Sequence, residues 1–227
     1  MQLLITAAAA PLAQTLAAGL GKEHQVRLTE RLPVPGVANL AVSPLGPDLS
    51  TNLLVRGLEA IVHVAAPLPT DSDEQQLDYL TRCTYNLCLA AATEGVKRLI
   101  YLSTLDLMTA YDPNYIVTER WRPLPTPTAP VLAKHLGEYT CREFAREHKL
   151  EVVVLRLGKV GDTAAGADQP ADPLWVDEQD VVQAVRLALA AELPRWSVLH
   201  IQAEGPQARF PVTTAKRLLG LDPSSYN

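Results

Sequence analysis

Short apolar runs recur along the chain at helix-length intervals: QLLIT (2–6), QVRLT (25–29), AIVHVAA (60–66), RLIYLS (98–103), EVVVLRL (151–157) and SVLHIQA (197–203). Runs this apolar read as strands buried on both faces, and the amphipathic stretches between them can serve as crossovers. The pattern predicts an α/β fold, a parallel sheet covered by helices on both faces. In residues 74–94, Leu77, Leu80, Thr84, Leu87, Cys88 and Ala91 fall on one helical stripe. Gly95 in EGVKR (94–98) suits the position just past that helix. Residues 130–148 read as a second helix, with Pro130 suited to its first turn.

Length and composition fit one domain over 1–227, its C-terminal portion, 161–227, reduced and packed on the rest. The chain is 48% apolar and 20% charged, enough for a sizeable core. A net charge of −5 argues against nucleic acid or an anionic membrane as partner. The apolar runs are too short to span a bilayer, and the start lacks a basic segment followed by a cleavage site. Cys83, Cys88 and Cys141 are odd in number and not clustered as metal ligands, so neither disulfides nor a metal are expected. These features lead us to expect a cytoplasmic protein. Residues 111–130, with five prolines, read as an irregular loop, and 161–174 (GDTAAGADQPADPL) as a linker.

Several segments together resemble the extended short-chain dehydrogenase/reductase family, in its NAD-dependent epimerase/dehydratase group. IVHVAAP (61–67) is similar to that family's fourth strand, and TYNLCLAAATEGVKRLIYLST (84–104) to its fourth helix and fifth strand. KHLGE (134–138) resembles its catalytic helix, LEVVVLRLGKVGD (150–162) its sixth strand, and WVDEQDVVQAVRLALA (175–190) a later helix. RFPVTTAKRLLGLDP (209–223) is similar to its closing segment. The resemblance implies a Rossmann-like, doubly wound sheet with a reduced C-terminal substrate region. It also implies NAD or NADP as cofactor, with Ala65 and Ala66 bordering it.

The family's signature positions are altered. Its phosphate loop carries three glycines where this chain has Ala7, Ala10 and Ala13, with Pro11 and Leu12 opening the helix that follows. Those glycines serve a tight turn, close approach to the pyrophosphate and helix–strand packing. An alanine held at positive φ would cost about 1–2 kcal/mol, so TAAAAPLAQ is expected to relax into an ordinary strand-to-helix turn. The free N–H groups at the helix start could still attract an anion. Glu30 stands where the family grips the adenosine ribose and favours NAD over NADP, a preference that the adjacent Arg31 blurs.

By resemblance, Thr104 and Lys134 match two of three catalytic positions, and Lys134 also borders the cofactor. The third, a tyrosine four residues before the lysine, is Pro130, which carries no titratable group. Tyr139 lies about 140° round the helix from Lys134, with Leu132 and Leu136 on a packing stripe. Tyr111 and Tyr115 lie in the loop after Thr104. His63 is expected to be a satisfied strand residue, and His135 points about 100° away from Lys134.

Three readings follow. The first is a catalytically impaired Rossmann protein serving as a binding or assembly module. The family implies a homodimer through helices 74–94 and 130–148. The second is an atypical NAD(P)-dependent oxidoreductase or epimerase acting on a sugar or small carbonyl compound. The third is a sensor that binds a nucleotide or metabolite in the crevice, where Lys134, Arg156 and Arg122 offer cationic contacts.

Overall fold

The computed structural model describes residues 1–37, 40–161 and 174–225. Its main sheet is parallel and built from β1 (Gln2–Ile5), β2 (Gln25–Glu30), β3 (Leu40–Val42), β4 (Ala60–His63), β5 (Arg98–Thr104), β6 (Glu151–Leu157) and β9 (Trp196–Ile201). The order β3-β2-β1-β4-β5-β6-β9 reverses direction between β1 and β4. Such a reversal opens a crevice at the carboxyl ends of the strands. Two short strands, β7 (Lys159–Gly161) and β8 (Trp175–Asp177), pair separately.

Alternation along each strand sends side chains into two cores. Leu3, Ile5, Val62, Ile100, Leu102, Val153 and Leu155 pack beneath α1 (Pro11–Leu20), α6 (Glu178–Ala190) and α7 (Thr213–Leu219). Leu4, Ile61, Leu99, Tyr101, Val152 and Val154 pack beneath the opposite layer. That layer holds α2 (Leu49–Val55), α3 (Asp73–Asp78), α4 (Thr84–Thr93) and α5 (Ala129–Arg146). This is the doubly wound Rossmann-like arrangement the sequence predicts.

The helix expected over 74–94 is interrupted. A π-helical turn, Tyr79–Cys83, joins α3 to α4, and the predicted stripe still faces the core from Leu80 to Ala91. The Val96 N–H bonds the Ala91 carbonyl at 2.9 Å, and Gly95 takes φ +78°, as its place past the helix requires. Residues 111–130 run as turns and bends up to α5, while most of 161–174 lies outside the described residues. Short β3, β7, β8 and α2 are additions that the apolar pattern does not reveal.

The turn after β1 does not relax. Ala7 holds φ +57° and Ala10 an extended conformation, so the backbone follows a left-handed path despite the methyl groups. Three bonds hold it there: Thr6 N–H to Val62 O at 3.1 Å, Ala8 N–H to Thr29 O at 3.1 Å and Ala10 N–H to Ala7 O at 2.9 Å. The sheet on both sides overrides the local preference of alanine. Ala7→Gly should therefore raise stability by about 1 kcal/mol, read as a higher urea midpoint at unchanged slope.

Gly137 brings α5 down on β5. A Cβ built there would lie 2.1 Å from the Tyr101 hydroxyl and 2.9 Å from the Leu80 carbonyl oxygen. Gly137→Ala should lower stability by about 1–3 kcal/mol, because neither neighbour is free to give way, and chemical denaturation measures the loss.

Candidate active site

The crevice contains a cleft of 320 Å³ at the carboxyl ends of β1, β4, β5 and β6. One wall is Ala10, Pro11 and Leu12 at the start of α1, and the other is Pro130, Val131 and Lys134 at the start of α5. Val64, Ala66, Leu102, Ser103, Thr104, Asp106, Leu157, Gly158 and Val160 complete the lining. Of the sequence-predicted positions, Ala10, Pro11, Leu12, Ala66, Thr104 and Lys134 thus meet in one place. Ala7, Ala13 and Ala65 are buried in the cores instead.

Lys134 reaches the cleft from the first turns of α5. Its Nζ donates to Leu102 O at 2.8 Å and Val64 O at 3.5 Å. Burial lowers its pKa from 10.5 to about 8, against the opposing pull of the Glu138 and Asp106 carboxylates. A tetrahedral nitrogen so held has one position left beyond its carbon and these two acceptors. In the neutral amine that position is a lone pair.

Thr104 caps the 3₁₀ turn Leu105–Met108: its hydroxyl donates to Asp106 Oδ2 at 3.0 Å and accepts the Asp106 N–H at 3.1 Å. Asp106 therefore presents a held carboxylate to the cleft, a residue that sequence reasoning missed. The available signal was a hydroxyl residue two positions before an aspartate at a strand end, the spacing of a capping turn. Ser103, 3% exposed and bordering the cleft, has a buried hydroxyl without a partner among the described residues.

The remaining candidates lie elsewhere. Tyr111 donates to Arg122 O at 2.6 Å, and neither it nor Tyr115 borders the cleft. Tyr139 does not pack into the core with Leu136; both are exposed, and the Arg142 guanidinium lies over the tyrosine ring at 4.2 Å. Arg122 is exposed away from the cleft. Arg156 is not a free cation, because Glu138 accepts from its Nε and Nη2 at 2.9 and 2.8 Å with both side chains buried. His63 is satisfied, with Nδ1 2.7 Å from Thr6 Oγ1 and Nε2 2.9 Å from Thr84 Oγ1. Burial, reinforced by the Lys134 charge, lowers its pKa to about 3, so it stays neutral.

A dinucleotide fits this geometry with a reduced phosphate anchor. Pro11 has no N–H, and Ala13 and Gln14 bond back to Ala10 O, which leaves the Leu12 N–H without a partner among the described residues at the head of α1. The orphaned Ser103 hydroxyl and the remaining position on Lys134 offer polar contacts at the far end of the cleft. Glu30 is only 3% exposed, and its carboxylate accepts the Ala9 N–H at 3.1 Å and the Arg31 N–H at 2.8 Å. A carboxylate has about four acceptor sites, so ribose hydroxyls can be added to these two amides. Beyond Glu30, a second pocket of 460 Å³ is lined by Arg31, Pro44, Leu68, Asp71 and Arg82, among others.

The whole chain superposes on several solved structures. Uronate dehydrogenase from Agrobacterium tumefaciens matches with a TM-score of 0.83 at 20% identity, covering 100% of this chain and 84% of that one. MoeE5 in complex with UDP-glucuronic acid and NAD matches at 0.81 and 19%, with 100% and 94% covered. UDP-N-acetylglucosamine 4-epimerase from Bacillus cereus matches at 0.80 and 16%, again with 100% and 94% covered. At these identities the likeness is one of fold. No curated protein sequence matches the chain. The model of the NAD dependent epimerase/dehydratase family matches residues 20–163, more than half of the sequence. The chain belongs to the NAD-dependent epimerase/dehydratase family.

Proposed function

We propose that this chain is an NAD-dependent oxidoreductase of the epimerase/dehydratase type in which Lys134 transfers the proton that the family assigns to tyrosine. The observation that carries the reading is the Lys134 amine in the cleft, poised at about 8 with one position free. A base is most effective when its pKa lies near the working pH. Family membership and similar folds whose structures hold NAD support the cofactor. The 320 Å³ cleft is at the small end of ligand pockets and has to be shared with the reactive end of the cofactor, which favours a monosaccharide or small carbonyl compound over a sugar nucleotide.

Leu12, Ser103 and Lys134 would hold the dinucleotide in the cleft, with Glu30 on the adenosine ribose. Bound NAD supplies hydride acceptance and return. Alongside it, the neutral Lys134 amine takes the proton of a substrate hydroxyl, and the resulting ammonium returns it to a carbonyl oxygen in the reverse direction. Asp106, fixed by Thr104, stabilises that ammonium. Pro130 and Val131 close the wall beside it and limit water.

Oxidation of sugars and uronic acids by the purified chain should show NADH formation that rises with pH through about 8, because the neutral amine is the active form. Lys134→Met should lower the rate about 10²–10⁴-fold. Asp106→Asn should move the rising limb to lower pH, since it removes a charge that favours the ammonium. A profile insensitive to both substitutions would refute the role of Lys134.

One set of observations favours a second reading, a binding module without turnover: the Ala10 methyl in the cleft, Pro11 without an N–H and Pro130 in place of tyrosine. Such a module needs a partner surface. Tyr85 and Leu89 on α4, and Leu136 and Tyr139 on α5, are 38–51% exposed, and Tyr85 meets Phe144 across the two helices at 5.6 Å. A homodimer through α4 and α5 would cover them. Fluorescence titration with NADH separates the readings: saturation at micromolar protein with substrate-dependent turnover supports the enzyme, and no binding at millimolar cofactor supports the module. Sedimentation showing only monomer at micromolar concentration would remove the dimer.

A further inference from the structure

The second pocket, beyond Glu30, is built around two arginines that are already committed. Arg31 forms an ion pair through Nη2 with Asp71, and its guanidinium carbon lies 4.4 Å over the Tyr79 ring. Arg82 is held by both oxygens of Asp78, at 2.6 and 2.7 Å. The lining also includes Glu74, which has no cationic partner among the described residues, and Glu30 directly precedes Arg31 in the chain. The pocket therefore looks cationic in sequence but presents no uncompensated positive charge.

A dinucleotide with its phosphates at the head of α1 and its ribose at Glu30 directs its 2′ position toward Arg31. We propose that Asp71 determines the cofactor preference of this chain: by holding Arg31 it withholds the guanidinium from a 2′-phosphate, so that NAD is accepted and NADP refused. Asp71 is well placed for this. Its Oδ2 also accepts the Leu68 N–H at 2.8 Å, and its own N–H bonds Leu68 O at 3.0 Å, so a tight turn fixes the carboxylate. Its side chain is only 6% exposed, which limits screening by water. A 2′-phosphate would have to break the pair and would bring its charge beside Asp71, Glu74 and Glu30. Glu30 alone does not set the preference, because the guanidinium of the adjacent Arg31 would otherwise attract a 2′-phosphate to the same end of β2.

This inference rests on the cofactor reading above, and calorimetry with ADP-ribose and 2′-phospho-ADP-ribose tests it without turnover. The unaltered chain should bind ADP-ribose and prefer it. Asp71→Asn keeps an oxygen for the Leu68 N–H while releasing Arg31, and should tighten 2′-phospho-ADP-ribose about tenfold with ADP-ribose changed less than about threefold. Adding Arg31→Ala should cancel that gain. Intact ADP-ribose binding with no gain in Asp71→Asn, or a gain that survives the loss of Arg31, would overturn the role of Asp71 alone. If the unaltered chain binds neither ligand, the cofactor reading falls and this inference with it.

Discussion

The closeness of α5 to β5 is the constraint from which the site follows. Gly137 leaves room for the Tyr101 ring, whose hydroxyl donates to Lys134 O at 3.2 Å and pins the helix at the residue that matters. That approach puts the Lys134 ammonium 2.8 Å from Leu102 O and takes it out of water. Desolvation is the largest cause of its lowered pKa, so a wider gap would rehydrate the amine and return it toward the ordinary lysine range. Packing and the protonation of Lys134 are here one requirement, carried by a residue with no side chain.

The architecture was legible because doubly buried strands leave an unbroken apolar signature, and the helices between them keep a regular stripe. The short β3, β7 and β8 carry only three residues each, too few for either period to show. Local preference misled at Ala7, where alanine predicts a relaxed turn but bonds to β2 and β4 impose φ +57°. That Lys134 and Thr104 share a cleft was expected from family resemblance. For Asp106 the sequence offers only the spacing of a capping turn; that the turn brings its carboxylate to the cleft belongs to tertiary structure. The internal pairing of Arg156 and Arg31 was equally invisible, since Glu138 and Asp71 lie 18 and 40 positions away.

Those pairings decide the electrostatics of the crevice. Arg156–Glu138, Arg31–Asp71 and Arg82–Asp78 each neutralise a guanidinium in place. Arg82–Asp78 is exposed and adds little, whereas breaking the buried Arg156–Glu138 pair would strand a charge, so that pair fixes geometry more than it strengthens the fold. With these cations occupied, the field in the cleft comes mainly from Lys134 and Asp106. Their opposition keeps the amine near neutrality instead of fully suppressing its charge.

Two prolines on facing walls of the cleft then bear on which reaction such a site favours. Pro11 removes an amide donor from the head of α1, and the Ala10 methyl stands beside it. One hydrogen bond to a charged group is worth about 1.5–3 kcal/mol, so losing it weakens phosphate anchorage about 10–100-fold. Pro130 opposite stands where the family has its phenol, and in the proposed reaction proton transfer falls to the amine. Epimerisation requires the hydride to be returned before the dinucleotide departs, and so depends on retention. Net oxidation or reduction requires exchange after each turnover. In the proposed enzyme, a cleft with one free amide among the described residues at its phosphate end and an amine of pKa about 8 at the other is better matched to exchange, which favours a dehydrogenase or reductase over an epimerase within the proposed function.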